Sequence, residues 1–145
     1  MTNTFFIPGS VPSSKNSRMM TRSGLFIASK ATQKYRKQSA PFWVSHKDAF
    51  KAAIEGKPKP IFIGLHFIRG SRRNWDFINP AQTIQDEMVK AGWIEDDNVL
   101  EILPVPLFVA EKYWSYSKDN PGVIIAVLDS LCDEIPNPIT NETIS

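Results

Sequence analysis

Residues 60–68 read PIFIGLHFI, a near-continuous apolar run between a Lys-Pro linker and a basic loop. A membrane helix needs roughly 20 apolar residues, and this run is far shorter. Its bulk and uniformity fit a strand buried on both faces, at the centre of a sheet. The rest of the chain must therefore supply the layers that cover it.

Flanking patterns give those layers. Residues 4–7 form a short first strand, ended by Pro8-Gly9, and residues 25–28 a second candidate. From Ser29 to about Glu55 the pattern is helical, with Ser29 as N-cap. Pro41 lacks a donor and clashes one turn back, so a kink or break is expected there. Beyond it Phe42, Trp43, His46, Ala49, Phe50, Ala53 and Ile54 recur at helical spacing and mark a core face, with His46 as an interior histidine. A second helix is expected from Asn79 as N-cap and Pro80 at the first helical position, stopping at Gly92. Its apolar side carries Ala81, Ile84, Met88 and Ala91, and its opposite side Asn79, Gln82 and Asp86. Pro104 and Pro106 assign the apolar stretch 99–109 to a sheet edge or bulge. Residues 123–128 read as a last buried strand. The expected fold is α/β (α+β), a small mixed sheet of four to five strands with two main helices. One domain covers residues 1–128, and residues 129–145 form an acidic extension.

Several classes are set aside early. The start Met1-Thr2-Asn3-Thr4 lacks the basic and apolar parts of a signal peptide. A single cysteine, Cys132, excludes an internal disulfide and a thiolate zinc cluster. A cytoplasmic location and no membrane partner are the expectation.

Charge is divided along the chain. Residues 1–75 hold 14 Lys or Arg against Asp48 and Glu55 alone, whereas residues 76–145 hold three Lys against 13 acids. A basic half suits a polyphosphate ligand, because each neutralised phosphate releases counterions. Pairing of the two halves within or between subunits explains the division equally well. Arg69, Arg72 and Arg73 just precede Asp76, and Lys15, Arg18 and Arg22 lie on a turn-rich loop that could close over DNA; a solvated face is the alternative for each group. Trp75, Phe77 and Trp93 flank the acidic positions and are read as core or dimer packing.

Asp76 precedes the second helix, and Asp96 and Asp97 follow it. Twelve helical residues span about 18 Å, so the acidic turn must fold back along the helix, with Asp86 as the natural intermediate. Clustered carboxylates call for a hard cation, Mg2+ or Mn2+. Such an ion beside basic loops is the apparatus of phosphodiester hydrolysis. Simple solvation of an acidic turn is the competing explanation. The expectation is that Asp76 and Asp97 converge on a shared site.

The string RRNWDFINPAQTIQDEMVKAGWIEDD, residues 72–97, resembles the signature region of the RusA-like Holliday-junction resolvases. IPGSVPSSKNSR, residues 7–18, resembles their first strand and following loop, and residues 122–128 their last strand. The likeness extends over roughly residues 4–128, and the spacing from Asp76 through Gly92 to Asp97 is its specific part. It implies a homodimer that nicks four-way DNA junctions with Mg2+, in a phage or prophage recombination setting. Asp76, Asp97 and Asp96 are the implied metal ligands, and Asp86, Asn79 and Gln82 accompany Asp76 and Asp97 as catalytic candidates. The family pattern is Asp-x-Asp-Asn with a Lys one turn on, whereas this chain has Ile78 and Gln82 at the second Asp and the Lys. An apolar residue binds no metal, and Gln brings no positive charge to a transition state. Two readings stay open: a divergent nuclease completing its shell from Asn79, Gln82, Asp86 and Asp96, or a dimeric DNA-structure-binding protein with weak or no catalysis. A module for an acidic protein partner has only the charge division behind it.

Overall fold

The computed structural model describes residues 3–16, 18–130 and 136–139. Cys132 and most of the expected acidic extension lie outside the described residues. The order is β1 (Thr4–Pro8), a 3-10 turn (Ser14–Asn16), β2 (Arg18–Met20), β3 (Phe26–Ala28), α1 (Lys30–Ile54), β4 (Ile61–Arg69), α2 (Ile78–Lys90), β5 (Ile102–Pro106), β6 (Trp114–Tyr116) and β7 (Gly122–Leu128). The class is mixed α+β, as expected.

The main sheet runs β1-β7-β4-β5, with β6 also paired to β4, so five strands take part. β7 is antiparallel to both β1 and β4, whereas β5 and β6 run parallel to β4. The apolar run is central, as its composition predicts. Its first half, Ile61–Leu65, pairs with β5, and its last three residues, Phe67 to Arg69, pair with β6. Between these partners the chain makes an excursion closed by Ala110 and Glu111, both at positive φ, with Val109 and Lys112 exchanging two backbone hydrogen bonds. His66 sits at the handover, fully buried. Its Nδ1 is 2.9 Å from the Leu107 carbonyl and its Nε2 is 2.7 Å from Ser115 Oγ. Since a carbonyl only accepts, Nδ1 carries the proton and Nε2 accepts from the hydroxyl.

Register places Phe5, Ile125 and Leu65 in one cross-strand row and Ile7, Val123 and Phe67 in the next. All six are buried, and the core they form includes Tyr35, Trp43, Phe50 and Ala53 of α1, Ala81, Ile84 and Met88 of α2, and Trp93. Period two on the strands thus meets period 3.6 on the helices. On the opposite face Gly64 lies where an added Cβ would meet Leu107 Cδ1 at 2.9 Å, so loop side chains close that side.

Three expectations are revised. Of the kink or break expected at Pro41, the break is absent: α1 is one continuous helix through it. The proline leaves the Lys37 carbonyl without its helical donor, but both residues are exposed and water can take the bond. The expected core face of α1 also narrows, since Trp43, Phe50 and Ala53 are buried while Phe42 and Ala49 are exposed. Helix α2 begins at Ile78, before Asn79. The capping carboxylate comes from Asp76, whose Oδ1 accepts the Asn79 backbone N–H at 2.9 Å. Pro80 still falls in the first turn, where a missing donor costs nothing.

Candidate metal and nucleic-acid site on helix α2

The polar face of α2 is organised by its own sequence spacing. Asp76 caps the helix, and its Oδ1 also accepts Asn79 Nδ2 at 2.8 Å. Lys15 Nζ stands 3.3 Å from its other oxygen. These contacts, the Asn79 backbone bond first, the Asn79 side chain next and Lys15 last, hold the Asp76 carboxyl below the usual aspartate range. The loop after β1 crosses the same face. Thr83 Oγ1 donates to the Pro12 carbonyl at 2.8 Å, and Ser14 Oγ donates to Asn79 Oδ1 at 2.9 Å.

One turn further along, Gln82 Nε2 donates to Asp86 Oδ1 at 2.9 Å and to Asp97 Oδ2 at 2.6 Å. One amide nitrogen therefore holds two carboxylates within two hydrogen-bond lengths of each other. Asp97 arrives because the chain reverses at the end of α2. Gly92 adopts φ +77°. Trp93 N–H donates to the Met88 carbonyl at 2.9 Å and Gly92 N–H to the Val89 carbonyl at 3.0 Å. That pair of bonds is a Schellman motif. Trp93 then anchors the reversed chain in the core: its Nε1 donates to the Trp43 carbonyl at 2.8 Å, and its ring stacks on Phe50 with 4.6 Å between centroids. The fold-back that helix length demands is thus present, and it brings Asp97 to Asp86 through Gln82 rather than to Asp76.

Asp96 turns inward on its own loop. It accepts Asn98 Nδ2 and the Asp97 backbone N–H, which hold its carboxyl below the usual range, the Asn98 bond contributing most.

The acidic residues fall into two cavities. One, of about 500 Å3, is lined by Asp76 together with Lys15, Arg69, Lys118 and Trp75. The other, of about 730 Å3, is lined by Asp86, Asp96 and Asp97 with Arg18, Arg36 and Lys90. Asp76 and Asp97 are not brought into one cavity. Asp76 is engaged as a helix cap, and Asn79, one turn closer to Gln82, is covered by Ser14.

Of the sequence-selected cations, Lys15 and Arg69 join Asp76, and Arg18 joins Asp86 and Asp97. Arg69 donates to the Arg73 carbonyl at 3.0 Å and lies over the Trp75 ring, 5.1 Å from its centroid. Arg72 lies over Tyr116 at 4.2 Å. Arg73 and Arg22 are exposed. Lys118 was not singled out by sequence, since it lies 42 positions from Asp76. The pairing of β6 and β7 with β4, and the Ser117 N–H bond to the Arg69 carbonyl, bring the loop that carries it to the cavity.

No family model and no curated protein matches the chain. The site must therefore be judged on its own donors. Among the described residues no group of three or more His, Cys, Asp or Glu side chains is arranged to hold a metal ion. Mg2+, however, keeps several waters and is commonly bound by one or two carboxylates plus substrate phosphates. Asp86 and Asp97, held around one amide nitrogen, meet that lower requirement, and Gln82 Oε1 would serve as a further hard ligand if the amide turned.

Proposed function

We propose that this chain is a Mg2+-dependent endonuclease of the RusA-like kind, acting on branched DNA as a homodimer. The observation that carries the reading is the Gln82 amide, which donates to both the Asp86 and Asp97 carboxylates and so gathers the two residues that would hold the ion. Asp86 and Asp97 would hold the ion, with Asp96 at the same cavity and Gln82 orienting the pair. A bound ion would polarise the scissile phosphate and lower the pKa of an attacking water. The chain's own cations do the rest. Arg18 lines the carboxylate cavity, and Lys15 and Arg69 line its neighbour. Together they supply phosphate contacts on both sides of Ser14, and Asp76 and Asn79 fix the start of the helix that aligns the site.

The test is incubation of purified protein with a synthetic four-way junction and Mg2+ or Mn2+. Paired nicks are expected, abolished by chelation and reduced on the order of a hundredfold in Asp97→Asn, the scale of losing one such stabilising group. Junctions that stay intact with both metals, or an Asp97→Asn variant that cuts like the parent, would overturn the reading.

A second reading is favoured by Ile78 and by the same amide. Ile78 is 77% exposed, an apolar side chain that brings no ligand to the start of the helix. Gln82 already satisfies one oxygen of each of the two acids. A dimeric junction-binding protein without catalysis would bind DNA unaffected by chelators and leave it uncut.

A further inference from the structure

The Asp76 cavity carries more positive charge than it balances. Lys15, Arg69 and Lys118 line it, and Asp76 is its one acid among the described residues. Asp76 pairs with Lys15, while neither Arg69 nor Lys118 has a carboxylate partner among the described residues. Partial burial lowers the Arg69 guanidinium from its usual range, and it donates a hydrogen bond to the Arg73 carbonyl. Ser10, Ser13 and Ser71 add hydroxyls, and Val11, Trp75 and Pro121 add apolar surface, with Arg69 lying over the Trp75 ring. A cavity lined by apolar side chains together with a few charged and polar groups suits a small ligand with a charged end and a flat body. Its volume, about 500 Å3, is of single-nucleotide scale.

We propose that this cavity receives one unpaired nucleotide, its phosphate among Lys15, Arg69 and Lys118 and its base against Val11, Trp75 and Pro121. The choice of a nucleotide over another phosphorylated body rests on the DNA reading above. A nucleotide drawn out of the stack at a branch point would enter the cavity, which would recognise the branch by that extruded nucleotide, apart from the carboxylate pair at Gln82.

The test is a calorimetric titration of the full chain with deoxyadenosine 5′-monophosphate, deoxyadenosine and inorganic phosphate. The nucleotide is expected to bind about tenfold or more tighter than either half, since both the charged end and the wall contribute. Lys118→Glu, a change at an exposed position, should weaken the nucleotide by a similar factor or more, and Lys118→Ala by less. No nucleotide binding at millimolar concentration, or phosphate binding as tightly as the nucleotide, would overturn the proposal. So would a Lys118→Glu variant that binds like the parent. Junction binding or cleavage measured alongside separates the two readings. A protein that binds or cuts junctions but ignores the nucleotide sinks this proposal alone. One that binds the nucleotide through Lys118 yet ignores junctions sinks the DNA reading and leaves the cavity a free-nucleotide site.

Discussion

Asp76 and Gln82 do different work although both face the polar side of α2. Asp76 is exposed and its carboxyl is held low chiefly by Asn79. A depressed carboxyl contributes stability above its unfolded value, and that contribution is lost as pH falls through the folded value. The α2 cap should therefore be intact near about pH 4, the ordinary aspartate range, and should release only in stronger acid. Carbon chemical shifts of the Asp76 carboxyl, followed with the Asn79 amide, will report this; titration at or above the ordinary value contradicts it. Gln82 bears on catalysis. Gln82→Lys would place an ammonium between Asp86 and Asp97, where the divalent ion is proposed to sit, and pair it with both carboxylates. If the site is a working nuclease, junction cleavage should fall, roughly tenfold or more, and recover in part as Mg2+ is raised. A folded Gln82→Lys protein that cuts junctions like the parent at every Mg2+ concentration rules out an ion held by this pair.

At the scale of elements, the reversal after α2 decides where Asp97 stands. Gly92 at φ +77° is where an L side chain is strained, and an added Cβ would also come 2.9 Å from Lys47 Nζ. The lysine can swing away, so the backbone sets the cost, about 1–2 kcal/mol for Gly92→Ala. Urea denaturation will measure it, together with loss of the Gln82–Asp97 contact by NMR; a neutral variant would show that the turn tolerates the change. This element was legible in the sequence, because Gly92 is a local signal and the apolar and polar faces of α2 follow from spacing alone. The strand β4 and the proline-marked edge strand β5 were legible for the same reason. Strands β2 and β6, of three residues each, were not, since their pairing depends on distant partners rather than on their own composition. Helix α1 was legible over its whole span, and a break at Pro41 is avoided because its local cost is overridden by the anchoring of Tyr35, Trp43 and Phe50 on either side of it.

For the molecule as a whole, no described helix is long and apolar enough to cross a membrane. The linear charge division turns into a spatial arrangement in which basic and acidic side chains line the same two cavities. Lys57–Asp129 and Lys59–Glu101 are pairs between the two halves, so part of the division is spent on internal pairing, as its alternative explanation holds. Arg36 and Lys90 of the second cavity pair with Glu87, which leaves Lys15, Arg18, Arg69 and Lys118 as the remaining cations of the two cavities. If about four phosphates are neutralised, log affinity for DNA should fall against log salt with a slope of roughly −3 to −4. A fluorescence-anisotropy titration at several salt concentrations measures that slope, and a value near zero would remove DNA as the ligand. Most of the candidate site could be named from sequence, since Asp76, Asn79, Gln82 and Asp86 share a helix. Its division into two cavities could not, because that depends on Ser14 meeting Asn79 across 65 positions. The handover of β4 from one parallel neighbour to another has a consequence for how this architecture can vary. His66 fastens both ends of the intervening excursion, and the Ala110–Glu111 tip lines neither acidic cavity. Residues could be gained or lost at that tip while the floor beneath both cavities keeps its alignment.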